Sequence, residues 1–312
     1  MIAVHVHRTR AFRIASLSLA LLAGAPAGCA PAGRTGDAGK PLVLTTFTVL
    51  ADIARNVAGD HVAVESITKP GAEIHGYEPT PGDVRKAAGA DLILDNGLHL
   101  EAWFGQFVEG LDVPHTVVSD GVRVIDIAGD AYAGKPNPHA WMSPANVRVY
   151  VDNIVAAFTA LDPAHAAGFE ANGAAYKNDL REVENDLAAR LARLPRHQRA
   201  LVTCEGAFSY LARDAGLTEK YIWPVNAEQQ ATPQRIASAI EFVRANDVPA
   251  VFCESTVRDG PMRQVAGAGG AVFGGTLYVD SLSAADGPVP TYLRLIRYDT
   301  DTIVGALTGR AS

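Results

Sequence analysis

Short apolar runs and stretches of helical spacing alternate along the first part of the chain. The run 42–47 is typical of a buried strand, and apolar residues with helical spacing follow it. Strands are predicted at 42–47, 62–67, 91–94 and 116–119. Helices are predicted at 49–57 and 101–109, and a short helix opens within 79–83 and ends at 88. This alternation is typical of βα units with a parallel sheet.

Two long helices interrupt this alternation. Ser143 and Pro144 fit the N-cap and first position of a helix that ends at Leu161. The sequence Asp162-Pro163 then begins a second helix of roughly thirty residues, about 45 Å long, that runs to about Leu194. The second helix is long enough to join two domains rigidly.

The alternation then resumes in the last third of the chain. Strands are predicted at 200–204, 221–225, 248–253 and 271–279, and helices at 207–215, after Pro233, at 261–267 and at 291–307. The predicted fold class is α/β, with two Rossmann-like lobes that contain parallel sheets and are joined by a long rigid helix. The predicted boundaries are 41–161 for the first lobe, 162–194 for the linking helix and 195–312 for the second lobe.

The N-terminal residues read as an export signal. Arg8, Arg10 and Arg13 precede the short apolar run 14–25, so residues 1–28 are predicted to be a signal peptide. Cleavage after Ala27 and lipidation of Cys29 are both compatible with the residues around them, and residues 29–40 are expected to form a flexible tether. The protein is therefore expected in the periplasm or on the outer face of the cell membrane.

Charge and apolar content narrow the class of protein. The 312-residue chain has a formal net charge of −7 and no basic stripe, which argues against nucleic acid as a partner. No apolar run after the signal approaches the ~20 residues that a membrane span needs. We expect an exported monomer.

Cysteine usage leaves one question open. Cys204 and Cys253 form an even pair in an exported chain, and each directly precedes a glutamate at the end of a predicted strand. They are either a disulfide or two buried thiols, since neighbouring strands rarely offer good disulfide geometry.

Four metal-ligand side chains follow predicted strands. His75 follows the second strand, His139 lies on the stiff proline-flanked loop after the fourth, and Glu205 and Asp280 directly follow strands of the second lobe. Ligands of open α/β sheets bind beyond the carboxyl ends of the strands. Two imidazoles and two carboxylates would neutralise a divalent cation between facing lobes.

The chain resembles the metal-binding solute receptors of ABC importers, the manganese/zinc family that includes adhesin-type lipoproteins. The resemblance is carried by these runs, in the order of the family: 71–81, 90–97, 103–104, 138–141, 203–208, 221–223, 254–255 and 278–281. It implies two lobes joined by a backbone helix and an ABC permease as membrane partner. It also implies that His75, His139, Glu205 and Asp280 are the metal ligands.

The expected cargo is Mn²⁺, with Zn²⁺ or Fe²⁺ as alternatives. Manganese receptors resemble this chain in having glutamate as third ligand, and two carboxylates suit the harder Mn²⁺ ion. Zn²⁺ would also bind tightly, because affinity follows the Irving–Williams order. A metallohydrolase with Glu254 or Glu73 as base, and an adhesin with a structural metal, are the alternatives outside the family. We expect no enzyme, because the chain lacks HExxH-type spacing.

Overall fold

The first α/β lobe is built on a four-stranded parallel sheet. The computed structural model describes residues 39–129, 132–226 and 231–309. The strand order is β2-β1-β3-β4, and Val43 of β1 lies opposite Val64 of β2 and Leu92 of β3. The elements are β1 (Leu42–Thr45), α1 (Thr48–Ala58), β2 (Ala63–Ser66), α2 (Pro81–Ala88), β3 (Leu92–Asp95), α3 (Phe104–Val108) and β4 (His115–Val117).

Two long helices follow the first sheet. The helix α4 (Pro144–Leu161) begins as predicted, because the Ser143 side chain accepts a hydrogen bond from Asn146 N. A 3₁₀ turn at Pro163–His165 separates it from α5 (Ala166–Leu191), whose 26 residues span about 39 Å. One face of α5 is apolar and buried, with Phe169, Tyr176, Leu180, Val183, Leu187 and Leu191. The helix contacts α1 and α4 of the first lobe, and it also contacts two helices of the second lobe, at 209–215 and 292–307.

The second lobe contains two parallel strand pairs. Its elements are β5 (Ala200–Glu205), α6 (Ser209–Ala215), β6 (Thr218–Trp223), α7 (Pro233–Ala245), β7 (Ala250–Glu254), α8 (Gly260–Gly269), β8 (Val272–Leu277) and α9 (Tyr292–Leu307). β5 pairs with β6 and β7 with β8. β5 and β7 are neighbours, yet no ladder joins the two pairs within the described part of the chain.

A single hydrophobic cluster reaches through both lobes. It contains Val43 of β1, Phe158 of α4, Phe169 of α5, Phe252 of β7 and Tyr292 of α9, each fully buried. Smaller clusters lie under the outer helices of each lobe. The central cluster therefore fixes how the carboxyl ends of the two sets of strands face each other.

The start of α3 differs from the sequence prediction. We expected a helix from Glu101, but α3 begins at Phe104. Glu101 is buried and accepts hydrogen bonds from Thr46 Oγ1 at 2.7 Å and Asn96 N at 2.8 Å. The carboxylate therefore holds the loop between β3 and α3 against β1.

The predicted signal peptide, Cys29 and nearly all of the predicted tether lie outside the described residues. Of the helices that are described, none combines the length and apolar character needed to cross a bilayer.

Candidate metal centre

The four predicted side chains come together where the two lobes meet. His75 lies on the loop after β2, His139 directly precedes a 3₁₀ turn leading into α4, Glu205 ends β5, and Asp280 follows β8. One candidate ligand atom from each lies within 4.8 Å of the others, and all four residues are buried. The structure thus brings together all four side chains that the strand-end rule singled out.

The two imidazoles face each other and the carboxylates through their Nε2 atoms. The His75 and His139 Nε2 atoms are 3.0 Å apart. Glu205 Oε1 lies 3.3 Å from His75 Nε2 and 3.4 Å from His139 Nε2. Asp280 Oδ1 lies 3.9 Å and 3.8 Å from the same two atoms. The four side chains thus surround one point.

Local contacts hold both histidines. The backbone N of His75 donates to Glu73 Oε1 at 2.9 Å, and His139 Nδ1 contacts Asn137 Oδ1 at 2.9 Å. The ring of Trp141 lies 5.2 Å from that of His139, between centroids, and its Nε1 donates to Val279 O at 3.1 Å. The tryptophan thereby packs His139 against the strand end that carries Asp280.

Asn226 connects the two carboxylates, and the sequence analysis missed it. Its backbone N donates to Glu205 Oε1 at 2.6 Å, and its Nδ2 donates to Asp280 Oδ2 at 3.1 Å. Trp223 Nε1 donates to Asn226 Oδ1 at 2.9 Å and fixes the amide. Asn226 follows β6, so the strand-end rule that identified the other four residues also points to it.

A disulfide underlies the carboxylate side of the site. Cys204 and Cys253 are bonded, with their Cα atoms 4.9 Å apart, which decides the question that the sequence left open. The bond joins β5 to β7 directly behind Glu205 and Glu254. Glu254 Oε2 accepts a hydrogen bond from Glu205 N at 3.1 Å, so Glu254 supports the backbone of Glu205.

The pKa values of the four groups shift in opposite directions. Burial lowers the pKa of His139. Burial alone would also lower the pKa of His75. For His75 the charges of Glu205 and Asp280 outweigh burial and raise the pKa to about 9. Burial and the charge of Glu205 raise the pKa of Asp280 well above its usual value. The protein alone therefore keeps a proton on His75, where it partly balances the carboxylates.

Two buried oxygens at the centre accept no hydrogen bond from any described residue. They are Glu205 Oε2 and Asp280 Oδ1. A buried carboxylate oxygen without a donor is costly, because its lost hydration is not replaced. A cation at this point would supply the missing interaction, so the donor set fits a divalent metal.

A cavity of about 320 Å³ leads to His75. Its lining includes Leu98, His99, Tyr132 and Pro138. Leu98 and His99 both have positive φ values, of 54° and 61°, which few residues other than glycine adopt. A larger cavity of about 700 Å³, lined by Ile125, Ser209 and Glu219 among others, contains none of the four predicted residues.

The known proteins to which the chain is similar are described as metal-binding or metal-uptake proteins. The family described as zinc-uptake complex component A, periplasmic, matches residues 43–306. The iron-binding protein YfeA of Yersinia pestis is 53% identical over 262 residues, 84% of this chain and 84% of that protein. A Mn-bound periplasmic metal binding protein from Candidatus Liberibacter asiaticus is 40% identical with a TM-score of 0.81, covering 86% of this chain and 100% of that one. The periplasmic zinc binding protein TroA of Treponema pallidum is 29% identical with a TM-score of 0.80, over 86% and 99%.

Proposed function

This chain belongs to the family of the periplasmic component A of zinc-uptake complexes, and we propose that it is the extracytoplasmic receptor of an ABC importer for a divalent transition metal. The ion would be captured between the two lobes and delivered to a membrane permease. The observation that supports this most directly is the convergence of His75, His139, Glu205 and Asp280, with two carboxylate oxygens that lack donors among the described residues.

The proposed ligands are the two Nε2 atoms and the carboxylates of Glu205 and Asp280. Neutral imidazoles and ionised carboxylates bind cations, so the proton held on His75 must leave when the ion arrives. Asn226 holds both carboxylates in place. Their two negative charges match one divalent ion, which makes its burial tolerable.

We propose Mn²⁺ as the cargo, with Zn²⁺ and Fe²⁺ as the alternatives. Two carboxylates suit the harder ion and can supply extra oxygen ligands. The names of the three relatives mention iron, manganese and zinc, so they do not separate these metals. A site of this composition is also expected to bind Zn²⁺ in vitro, because affinity rises along the Irving–Williams order.

The remaining parts of the proposal concern cellular context. We propose a monomeric receptor without enzymatic activity, exported by residues 1–28 and attached to the membrane through a lipid on Cys29. Residues 29–40 would form the tether. The proposed division is 41–161 and 195–312 for the lobes, with 162–194 as the linking helix.

The first experiment is metal analysis of protein purified without chelator, with competitive Mn²⁺, Fe²⁺ and Zn²⁺ titrations and uptake measurements in a deletion strain. Manganese content with an uptake defect restricted to manganese would support the proposed cargo. Zinc or iron content with the matching defect would support that alternative instead. No bound metal and no uptake defect would contradict the receptor function.

A variant pair tests the site itself. Metal at 100 times its Kd should stabilise the wild type by about 2.7 kcal/mol, and Asp280→Ala should lose most of that gain in thermal unfolding. Asp286→Ala is the matched control, because Asp286 is exposed beyond the site on the same segment. An Asp280→Ala variant stabilised as much as the control would remove Asp280 from the site.

A further inference from the structure

The Asn137 side chain bridges the two lobes beside the metal centre. Its Nδ2 donates to Gly206 O of the second lobe at 2.7 Å. Its Oδ1 accepts from the backbone N of His139 at 3.0 Å and contacts His139 Nδ1 at 2.9 Å. A backbone carbonyl only accepts and a backbone N–H only donates, so these two contacts fix the orientation of the amide.

The fixed amide determines which nitrogen of His139 carries the proton. Asn137 Oδ1 can only accept, so His139 Nδ1 must donate to it. In the neutral ring the lone pair then lies on Nε2, the atom that faces His75 and Glu205. The opposite tautomer would direct a proton into the site, where it would exclude a cation.

The hydrogen bonds continue from Asn137 into the second lobe. Asn137 Nδ2 also donates to Ser209 Oγ at 3.1 Å, and Ser209 Oγ donates to Glu219 Oε2 at 2.5 Å. The other oxygen of Glu219 accepts from Phe208 N at 3.2 Å. Because Glu219 uses both oxygens as acceptors, it directs the single Ser209 proton toward itself and leaves Ser209 to accept from Asn137.

We propose that Asn137, Ser209 and Glu219 form a positioning chain, running from the second lobe to His139, that holds His139 in its metal-binding tautomer. This inference rests on the proposed metal-receptor function. The three residues touch neither His75 nor Asp280 through any hydrogen bond that the structure shows. They act on the ion only through His139 and, at Gly206, through the backbone next to Glu205.

Substitutions in the positioning chain should weaken metal binding most at Asn137, which contacts His139, and less at Ser209 and Glu219, which lie further from it. Asn137→Ala removes the partner of His139 Nδ1, and loss of such a partner typically costs about 10–100-fold in metal affinity. Glu219→Gln has one acceptor oxygen where two are needed, so it and Ser209→Ala should cost less, about two- to fivefold. Asn137→Asp keeps the acceptor for His139 but loses its bonds to Gly206 O and Ser209, so it should lose about as much affinity as Ser209→Ala, about two- to fivefold.

The tautomer is measured by ring-nitrogen NMR of histidine-labelled, metal-free protein, with His139→Gln used for assignment. The spectra are recorded in a His75→Ala background, because the protonated Nε2 of His75, 3.0 Å from His139 Nε2, would by itself hold the proton of His139 on Nδ1. In that background the protein with Asn137 and its Asn137→Asp variant should show His139 protonated at Nδ1, and Asn137→Ala should show a mixture. The matched control is Asn153→Ala, since the Asn153 amide likewise donates two hydrogen bonds, here to the backbone carbonyls of Val118 and Asp120, away from the site. Chelator-competed Mn²⁺ titrations follow on the same Asn137 and Asn153 variants with His75 intact.

Unchanged His139 ring signals in Asn137→Ala would overturn the proposal. So would an affinity loss no larger in Asn137→Ala than in Asn153→Ala, or an Asn137→Asp variant as weak as Asn137→Ala. The ring signals are read without metal, so they stay informative if the wild type binds no ion. A wild type that binds no ion would contradict the proposed receptor function, but the tautomer measurement would remain valid.

Discussion

Removal of the Cys204–Cys253 disulfide should destabilise the protein strongly. The bond closes a loop with a sequence separation of 49 residues. In the chain-entropy description, a closed loop of that length lowers the entropy of the unfolded chain by an amount worth about 4 kcal/mol at 25 °C. The expected effect is large because the total stability of a domain is only about 5–15 kcal/mol.

The test is urea unfolding of Cys204→Ala/Cys253→Ala, followed by circular dichroism. Its free energy of unfolding should fall by about 4 kcal/mol, plus a smaller loss from the two truncated cysteine side chains, since both cysteines are buried. Wild-type protein unfolded in reductant should lose a similar amount, whereas the double variant should not respond to reductant. An unchanged wild-type transition in reductant would refute the loop-closure argument.

Two further predictions concern the metal and the helix packing. Glu205 and Asp280 raise the pKa of His75 to about 9, so a bound ion must displace its proton at neutral pH. If one proton is released from His75, the affinity for the metal should rise about tenfold per pH unit up to about pH 9. Equal heats of metal binding in buffers of different ionisation enthalpy, measured by calorimetry, would contradict this release. Gly173→Ala should destabilise by about 1–3 kcal/mol, because its Cβ would lie 2.6 Å from Val155 Cγ2 of α4. Gly267→Ala, with nothing within 4 Å of its Cβ, should raise the free energy of unfolding by about 0.5–1 kcal/mol. If chemical unfolding showed that both variants change this free energy in the same direction, the packing argument would be disproved.

Local pattern was enough to predict the βα order and to single out the four side chains that the structure brings together. The carboxyl end of a parallel strand is readable from an apolar run followed by polar residues, and that rule placed His75 at the functional edge of the first lobe and Glu205 and Asp280 at that of the second. The two prolines before His139 identified its stiff loop. Both signals lie within a few residues of the site, so they need no knowledge of tertiary contacts.

The features that escaped prediction depend on contacts between distant parts of the chain. Asn137 meets Gly206 across 69 positions, and Glu101 turns toward Thr46 across 55. The order of strands in the second lobe, which brings Cys204 beside Cys253, also depends on tertiary packing. Sequence spacing alone therefore left the disulfide open and placed the start of α3 too early.

The cluster that reaches through both lobes limits how this protein can change over generations. Buried bonds cross the same boundary: Tyr292 N donates to Asp52 Oδ2 at 2.8 Å, and Leu282 N donates to Thr48 Oγ1 at 2.9 Å. Interiors are packed densely enough that even one methylene is felt, so a substitution in α1 alters what α9 can accept. Recombination that joined the first half of one relative to the second half of another would have to preserve both sides of this shared interior. The two halves are therefore expected to be inherited and to diverge as one unit.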